Sequence, residues 1–457
     1  MAAPKKIFVC KSCGVTSSKW QGRCSSCGEW DTLVEEMVHK ETPREEQKKV
    51  WRTDANAEPQ PILLSDIKPQ KTVRISGTDH EFNRVLGGGI VPGTLVLLGG
   101  QPGIGKSTLL LQLALDLPVR VLYVSGEESE DQIKLRSERI SKKNSTCFVL
   151  TETNTAKIFQ HAQRIVPDLI IIDSIQTVMS PYIESTAGSV SQIRESAGEL
   201  QRFAKETNIP ILIIGHITKE GTIAGPKLLE HIVDVVLQFE GDAHYSYRIL
   251  RTLKNRYGAT DEMGIYEMQS YGLRPVANPS ERLIAQRDEA LSGSAICSTV
   301  EGVRPILIET QALVTRAVYG TPQRSATGFD LRRLSMLLAV LEKRSGLPFG
   351  MNDVFLNIAG GIKVEDPGMD LAVVAALISS LKDTLIPQNI SFAAEVGLSG
   401  EIRAVTRIDQ RIQEAARLGF ETVYISKYGA PTVSKTKDTA CKVVTISRIE
   451  DLIDDLF

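Results

Sequence analysis

The stretch "GGQPGIGKST", residues 99–108, decides the fold of the central part of this chain. It contains the pattern G-x-x-x-x-G-K-[ST] at Gly100, Gly105, Lys106 and Ser107. The apolar run "TLVLLG" precedes the pattern and the helical run "STLLLQLAL" follows it, which is the strand–loop–helix context of a phosphate-binding loop. In such a loop backbone N–H groups surround the phosphates, Lys106 reaches the β- and γ-oxygens, and Ser107 ligates Mg²⁺. The stretch therefore predicts a nucleoside triphosphate site made of Gly100, Gln101, Pro102, Gly103, Ile104, Gly105, Lys106, Ser107 and Thr108.

Two more strand-like runs end in carboxylates that suit phosphate chemistry. Asp173 ends "LIIID", where a carboxylate anchors Mg²⁺ as the Walker B residue, although an Asp at this place can also cap a following helix. "YVSGEES" ends another strand and carries Glu127 and Glu128. A carboxylate at this strand end can polarise the attacking water. We expect Glu128 to cap the following helix instead.

Short apolar runs alternate with amphipathic helical stretches from about Ile62 to Tyr271. Runs rich in β-branched residues, each bounded by turn residues, indicate strands that are buried on both faces. The pattern predicts an α/β domain over residues 61–280, with a mostly parallel sheet and helices on both sides. The clearest strands are "TLVLLGG", "RVLYVSG", "LIIIDS", "IPILIIGH" and "VDVVLQFEG".

Four of the seven cysteines lie within the first 27 residues, in a CxxC-x10-CxxC pattern. Two CxxC knuckles can present four thiolates to one tetrahedral zinc ion. A module of about 30 residues builds too small a core to fold alone, so the metal would supply the folding free energy. We therefore predict a zinc module over residues 1–35, with the ligands Cys10, Cys13, Cys24 and Cys27. Its basic residues, with Trp20 and Trp30, leave two kinds of partner open, nucleic-acid bases or another protein.

The overall composition is that of an ordinary globular protein of two or three domains. The 457 residues include 42% hydrophobic and 24% charged residues and carry a net charge of −2. This balance does not indicate nucleic-acid binding, so any such role must come from local basic patches. The N-terminus has no apolar signal core and no run approaches the roughly 18 apolar residues of a spanning helix, so we expect a cytoplasmic protein without membrane contact. Residues 36–60 mix charge with proline and are predicted to form a linker.

A separate α/β domain is predicted over residues 281–457. "RPILIETQALV" and "DVFLNIAGG" are typical of strands, and "DLRRLSMLLAVLEKRSG" is typical of a helix that ends at Gly346. "MDLAVVAALISSL" and "RIDQRIQEAARLGF" predict two further helices. "ISFAAEVGLSGEIRAV" predicts a strand hairpin that turns at Ser399–Gly400.

Five motifs together resemble the bacterial RadA/Sms family: "LGGGIVPGTLVLLGGQPGIGKSTLLLQ", "YVSGEES", "LIIIDSIQTV", "IIGHITKEG" and "LKNRYG". The cysteine module and the C-terminal region also match, so the resemblance covers nearly the whole chain, with Tyr257 where the family commonly has Phe. The resemblance implies a RecA-like ATPase core, an N-terminal zinc module and a C-terminal Lon-protease-like domain. It also implies an ATP- and Mg²⁺-dependent motor that moves along single-stranded and branched DNA as a hexameric ring, promotes branch migration and works with a RecA-type recombinase.

The same resemblance assigns roles to individual residues. Glu127 is the expected catalytic base and Asp173 the Walker B residue. His216 occupies the place of a γ-phosphate sensor, although a lone His after a strand is commonly structural. In "RTLKNRYGAT", residues 251–260, Lys254 and Arg256 are expected to reach the γ-phosphate bound by a neighbouring subunit, as an arginine finger does. The alternative for this pair is a solvated hairpin tip.

Two loops at one edge of the predicted sheet are candidates for sequence-independent contact with DNA phosphates. One loop is "SPYIESTAGSVSQ", residues 180–192, and the other is "TKEGTIAGPK", residues 218–227, which carries Lys219 and Lys227. Their glycines and small residues are expected to let both loops move with the nucleotide state. Ordinary surface loops are the alternative.

The C-terminal region resembles the proteolytic domain of Lon, which needs a Ser nucleophile activated by a Lys. Gly368 in "DPGMD" falls where the Ser would be, and Asp409 in "RIDQRI" aligns with the Lys. We therefore expect this domain to be an oligomerising scaffold that does not hydrolyse peptides. Basic residues on it are expected to form a face for duplex DNA, with a solvated helix face as the alternative. The predicted DNA contacts among them are Arg316, Arg324 and Arg333.

Three other functions stay open at the level of sequence. An ATP-dependent protease would need the Ser–Lys pair that is missing. A signalling ATPase of the KaiC type shares "GGGIVPG" and the phosphate-binding loop, but it does not account for the zinc module or the C-terminal domain. A structural DNA-binding ring would hydrolyse ATP only incidentally.

Overall fold

The computed structural model describes residues 5–11, 13, 15–38, 63–66, 73–140, 146–216, 229–241, 247–276, 278, 280, 284, 291–317, 320–361, 363–429 and 441–457. The chain forms two compact units, Met1–Val276 and Ala277–Phe457. Each unit has its own sheets and its own core, and they are described separately below. Among the described helices none is both long and apolar enough to cross a membrane.

The N-terminal part of the first unit is a small antiparallel sheet. Its strands are β1 (Lys5–Cys10), β2 (Thr16–Ser17) and β3 (Leu33–Val38), in the order β2-β1-β3. Among the described residues, the buried cluster of this module contains Cys10, Cys24 and Leu33, and the buried Val9 of β1 belongs to a different cluster. So small a core cannot offset the conformational entropy of about 30 ordered residues, which agrees with the prediction that a metal stabilises the module.

A nine-stranded sheet forms the centre of the first unit. Its spatial order is β12-β11-β10-β9-β4-β8-β7-β5-β6, and the six strands from β9 to β6 are mutually parallel. The strands are β4 (Leu95–Gly100), β5 (Val121–Ser125), β6 (Cys147–Thr151), β7 (Leu169–Asp173), β8 (Ile211–His216), β9 (Val235–Glu240), β10 (Tyr247–Asn255), β11 (Met263–Gln269) and β12 (Gly272–Pro275).

Helices cover both faces of this sheet, as the buried apolar runs predict. They are α1 (His80–Val85), α2 (Lys106–Asp116), α3 (Glu130–Arg139), α4 (Thr155–Ile165) and α5 (Val190–Thr207). One apolar cluster packs α2 against one face, and another packs α4 and α5 against the other, where the rings of Phe159 and Phe203 stack. The five predicted strands are all confirmed, and the carboxyl ends of β4, β5, β7 and β8 meet at one edge of the sheet.

Strand β10 reverses direction and brings the end of "RTLKN" to the other edge. It pairs antiparallel with β9, so that Lys254 lies opposite Val236 and Asn255 opposite Val235. The same two valines pair with Leu97 and Val96 near the start of β4. Residues after Asn255 therefore lie at the amino-terminal edge of the parallel strands, whereas the phosphate-binding loop follows their carboxyl-terminal edge.

The second unit contains a seven-stranded mixed sheet in the order β15-β16-β14-β13-β17-β20-β21, and a two-stranded ribbon of β18 and β19. The strands are β13 (Ser294–Glu301), β14 (Arg304–Arg316), β15 (Arg324–Thr327), β16 (Asn352–Ile358), β17 (Ile390–Ala393), β18 (Glu395–Val396), β19 (Ile402–Arg403), β20 (Thr422–Ser426) and β21 (Lys442–Ile446). The predicted hairpin turn at Ser399–Gly400 is confirmed, because Val396 pairs with Ile402.

The α-helices described in this unit are α6 (Leu331–Ser345), α7 (Asp370–Lys382), α8 (Ile408–Arg417) and α9 (Ile449–Leu456). Helix α7 is buried over nearly its whole length, as its continuous apolar sequence predicts. Helix α6 ends at Ser345 with Gly346 in the left-handed conformation, which confirms the predicted end of that helix.

Candidate nucleotide and metal sites

The loop between β4 and α2 has the shape of a phosphate cradle. Gly103 and Gly105 have φ angles of 77° and 113°, a backbone region that favours glycine, and Gly105 is the N-cap of α2. At Gly100 a Cβ atom would lie 2.6 Å from the carbonyl oxygen of Phe239, so this position also requires glycine. The first turn of α2 presents unpaired N–H groups and the positive end of the helix dipole to any phosphate bound here.

The Lys106 side chain lies inside this loop and is only 3% exposed. Its Nζ donates hydrogen bonds to the carbonyl oxygens of Gly100 at 2.8 Å and Gln101 at 2.9 Å. Burial lowers the pKa of Lys106 to about 8, and the nearby carboxylates of Asp173 and Glu127 oppose this shift. Folding therefore places a desolvated ammonium group where the phosphates of a nucleotide would bind.

Asp173 ends β7 beside the phosphate-binding loop and is buried. Its Oδ2 accepts a hydrogen bond of 2.7 Å from the Tyr123 hydroxyl, whereas its Oδ1 has no hydrogen-bond partner among the described residues. The next helix begins at Val190 and is capped by Ser189, so Asp173 is not a helix cap. A buried carboxylate oxygen without a donor among the described residues, close enough to Lys106 to act on its charge, fits the oxygen ligands that Mg²⁺ prefers.

Glu127 and Glu128 have different partners at the end of β5. Glu127 accepts a hydrogen bond from the Ser174 hydroxyl through Oε1 and lines the same cavity as Lys106. Glu128 forms an ion pair with Arg136 of α3. Burial raises the pKa of the Glu128 carboxyl, and Arg136 partly opposes this rise. The expectation that Glu128 caps α3 is wrong, because Ser129 caps the helix in a reciprocal box with Gln132.

The phosphate-binding loop, Lys106 and Glu127 line a cavity of about 590 Å³. The sequence did not single out Tyr123, Ser174 or Arg136, which support or line this site. Their only signal was position, since Tyr123 lies within β5, Ser174 directly follows β7, and Arg136 lies on the helix after β5. The cavity is lined by Pro102, Gly103, Gly105, Lys106, Ser107, Thr108, Glu127 and Arg136.

The cysteine module brings its four sulfur atoms together. All four Sγ atoms lie within 4.8 Å of one another, with 3.6 Å between Cys10 and Cys27 and 3.5 Å between Cys13 and Cys24. Sulfur atoms at the corners of a tetrahedron with Zn–S bonds of about 2.3 Å lie roughly 3.8 Å apart. The four thiolates therefore fit one zinc ion without rearrangement of the fold.

Lys254 and Arg256 are held by the segment that leads into β9. The Lys254 Nζ donates to the carbonyl oxygens of Glu230 and Val233, the latter at 2.8 Å. The Arg256 side chain is 52% exposed and lies 3.8 Å from the buried carboxylate of Asp234. Burial lowers the pKa of Lys254, and the charge of Arg256 lowers it further. The pair is therefore an organised cation cluster at the amino-terminal edge of the sheet.

The remaining predicted site residues of this unit are His216, the loop of residues 180–192, and two lysines. His216 ends β8 and pairs in register with Gly100, so its backbone lies beside the start of the phosphate-binding loop. The loop of residues 180–192 is anchored rather than free, because the Gln192 amide donates to the carbonyl oxygens of Ser180, Ile183 and Ser185. Lys219 and Lys227 lie outside the described residues.

In the second unit the predicted nucleophile position is filled by an ion pair. Gly368 lies in a short 3-10 turn, and a Cβ atom there would lie 2.7 Å from the Arg411 guanidinium. Arg411 is 1% exposed and donates to Asp366 at 2.6 Å and to the Ser298 carbonyl oxygen at 2.7 Å. The cation that faces Gly368 is therefore Arg411. Asp409, which aligns with the Lon lysine, does not supply a cation. A guanidinium already bound to a carboxylate cannot act as the general base of a Ser–Lys pair.

The three predicted DNA-binding arginines of this unit differ in their surroundings. Arg316 and Arg324 lie at one end of neighbouring strands, opposite Asn352 and Val354 of β16. Arg333 instead forms a bidentate ion pair with the buried carboxylate of Asp370. Its Nη2 also lies 3.6 Å from Oε1 of Glu395. The prediction that Arg333 contacts DNA is not supported, because its guanidinium neutralises the buried carboxylate of Asp370.

Curated proteins with closely similar sequences align with nearly the whole chain. The chain is 50% identical over 429 residues to "DNA repair protein RadA" of Streptococcus pyogenes serotype M6, which is 93% of this chain and 94% of that protein. It is 47% identical over 456 residues to "DNA repair protein RadA" of Bacillus subtilis strain 168, with 99% of both chains covered. This chain belongs to the RadA family.

Three family models match separate parts of the chain. An AAA domain matches residues 64–222, a rubredoxin metal binding domain matches residues 8–35, and the Lon protease (S16) C-terminal proteolytic domain matches residues 344–457. Among solved structures, a crystal structure of the RadB recombinase aligns with a TM-score of 0.37 at 21% identity, over 44% of this chain and 99% of that chain. With the parallel sheet and the phosphate-binding loop described above, the family models give an AAA ATPase core, an N-terminal metal-binding ribbon and a Lon-like C-terminal domain.

Proposed function

We propose that this RadA-family chain is a DNA-dependent ATPase that works as a hexameric ring and moves along single-stranded and branched DNA. Its task would be branch migration at recombination intermediates, together with a RecA-type recombinase. The names of its relatives, which are DNA repair proteins, support the pathway. The phosphate-binding loop and its two carboxylates support the energy source.

The observation that carries this proposal is the separation of the two halves of the ATP site. Lys106 lies at the carboxyl end of β4, whereas Lys254 and Arg256 lie beside the start of that strand. Lys254 is in register with Leu97, three residues or about 10 Å before the end of β4, and β10 lies two strand spacings of about 4.8 Å away from β4, so the separation exceeds the reach of either side chain. A cation pair of this kind can complete an ATP site only on a second copy of the chain, as heterologous contacts in a ring allow.

Each group of the site then has a distinct task. Lys106 and the loop N–H groups bind the β- and γ-phosphates, and Ser107 and Asp173 would hold Mg²⁺. When bound, Mg²⁺ would neutralise charge on the phosphate oxygens. Glu127 would orient and deprotonate the attacking water, and His216 would sense the γ-phosphate. Lys254 and Arg256 of the neighbouring subunit would stabilise the charge that develops as the γ-phosphoryl group is transferred.

A subunit-mixing experiment tests whether the site is shared. Lys106→Ala and Arg256→Ala chains are each expected to hydrolyse ATP much more slowly than the unchanged chain, because one lacks the phosphate-binding amine and the other the cation in trans. Co-expressed rings should regain activity, since about a quarter of the interfaces in an equimolar mixture combine an intact loop with an intact Arg256. Mixed rings that stay inactive would place the cations in the same subunit as their nucleotide.

Two further measurements separate the motor from its alternatives. A DNA-dependent motor should hydrolyse ATP faster with single-stranded DNA, whereas a signalling ATPase should not respond. The Lys106→Ala variant should still bind a DNA fork but fail to process it. Normal processing of forks by this variant would favour a scaffold that binds DNA without translocation.

A further inference from the structure

The Arg74 side chain connects two loops that are far apart in the sequence. Its Nη1 donates to the carbonyl oxygens of Leu86 at 2.8 Å and Gly89 at 3.4 Å. Its Nη2 donates to the carbonyl oxygen of Tyr257 at 2.7 Å, across 183 residues of sequence. One guanidinium therefore joins the three-glycine turn after α1 to the turn that carries Lys254 and Arg256.

The backbones of the two turns are in van der Waals contact beside Arg74, which restricts the position of its guanidinium. A Cβ atom at Gly87 would lie 3.5 Å from the Cα of Gly258, and one at Gly89 would lie 2.7 Å from the carbonyl oxygen of Ile75. Ile75 and Ile90 exchange backbone hydrogen bonds of 2.9 and 2.8 Å, which holds the backbone next to Arg74. The arginine thus extends from a fixed backbone into a contact that leaves little room for movement.

We propose that Arg74 is a positioning residue for the cation pair Lys254 and Arg256. It holds the carbonyl group of Tyr257, the residue directly after Arg256, while Asp234 faces the Arg256 side chain from within the sheet. The turn is thereby held on both sides, which fixes the direction of Arg256 next to Lys254, whose ammonium is bound to the carbonyl oxygens of Glu230 and Val233. This inference rests on the proposed role of the pair in the neighbouring subunit's ATP site.

The geometry requires an arginine. A planar guanidinium offers five N–H donors in a fixed fork, and two of its nitrogen atoms here serve three carbonyl oxygens in two loops. A lysine ammonium is a single point with three donors and cannot span both loops from the same backbone position. Arg74→Lys should therefore rescue only part of the effect of Arg74→Ala.

The test measures steady-state ATP hydrolysis by the full-length chain with single-stranded DNA. Arg74→Ala should lower kcat at least tenfold, whereas KM and equilibrium nucleotide binding should stay within twofold of the unchanged chain. Arg120→Ala is the matched control, because Arg120 lies just before β5 at the same edge of the sheet and pairs with Asp168 at 3.8 Å. That variant should keep normal kcat and KM.

A double variant shows whether Arg74 acts through the cation pair. Arg74→Ala combined with Arg256→Ala should be no slower than Arg256→Ala alone, because residues that act as one unit are not additive. Normal kcat in Arg74→Ala, a change confined to KM, or an additive loss in the double variant would each overturn the proposal. If Arg74→Ala does not fold, Arg74→Lys supplies the same comparison. Normal turnover by Arg256→Ala itself would instead contradict the proposed function.

Discussion

At the scale of single residues, two carboxylates at neighbouring strand ends acquire different surroundings. Asp173 keeps one buried oxygen without a hydrogen-bond donor, which suits a metal ligand, and Glu127 faces the cavity beside Lys106. Glu128 is adjacent to Glu127 in sequence but is neutralised by Arg136. The sequence could place all three at strand ends, but only the packing of α3 determines which glutamate faces the nucleotide.

The first prediction distinguishes the two glutamates. Glu127→Gln should lower kcat for ATP hydrolysis by about 10²- to 10⁴-fold, because an amide cannot accept the proton of the attacking water. Nucleotide binding should persist, as measured by the fluorescence of a labelled ATP analogue. Glu128→Gln is the matched control and should lose less than tenfold. A larger loss in Glu128→Gln than in Glu127→Gln would reverse the assignment.

The second prediction concerns pH and Lys106. Because burial lowers the pKa of this amine to about 8, the free chain loses the charge above that pH, while bound phosphates would restore it. Nucleotide binding at pH 9 should therefore take up a proton, and affinity should fall by up to about tenfold for each pH unit above 8. Calorimetry in two buffers of different ionisation enthalpy measures the uptake.

Lys106→Arg is the control for this pH dependence. A guanidinium stays charged throughout the range, so this variant should bind nucleotide without proton uptake and with a flat pH profile. Absence of uptake in the unchanged chain at pH 9 would contradict the assignment of the low pKa to Lys106.

At the scale of elements, the end of β4 requires a glycine for steric reasons, whereas the middle of α5 does not. Gly100 is required by the approach of the Phe239 carbonyl oxygen, and this contact brings β9 against the loop. Gly198 lies inside α5, and a Cβ atom there would meet nothing within 4 Å. Sequence reasoning assigns the first glycine to a phosphate-binding loop, but it cannot tell that the second lacks a steric reason.

The third prediction compares substitutions at these glycines. Gly198→Ala should raise the free energy of unfolding by about 0.5–1 kcal/mol, because alanine loses less conformational entropy in a helix. Gly100→Ala should lower it by about 1–3 kcal/mol, because the new methyl group overlaps a backbone oxygen. Urea unfolding followed by circular dichroism measures both. Equal effects of the two substitutions would show that the Gly100 contact does not constrain the loop.

At the scale of the whole molecule, three structural parts obtain stability in different ways. The ATPase sheet and the Lon-like sheet each bury continuous apolar clusters, whereas the described part of the zinc module buries, besides Val9, only a small cluster of two cysteines and one leucine. In the Lon-like unit the buried pair of Arg411 and Asp366 occupies the space that a nucleophile would need. This buried ion pair adds to the stability of the Lon-like unit only while both partners are present, because removal of one would leave a buried charge unpaired.

The fourth prediction is that the zinc module unfolds alone. A strong chelator should remove one zinc ion per chain and change the fluorescence of the exposed Trp20 and Trp30, because the four thiolates lose their common ligand. Binding of a labelled ATP analogue should not change, since the ATPase core does not depend on the metal. A Cys13→Ser variant should show the same fluorescence without chelator. Loss of nucleotide binding together with zinc would show that the two parts fold as one.

The sequence alone determined the family, the phosphate-binding loop, the four thiolates and the principal strands of the ATPase core, because each depends on local spacing. A glycine pattern, a pair of CxxC knuckles and a buried apolar run carry their own geometry within a few residues. Tertiary structure decided what depends on distant residues: which glutamate faces the cavity, that Arg333 is bound to Asp370, that Arg411 fills the space beside Gly368, and that Arg74 joins two turns. Those contacts join residues tens to hundreds of positions apart, and only the packing of strands and helices brings them within hydrogen-bond distance.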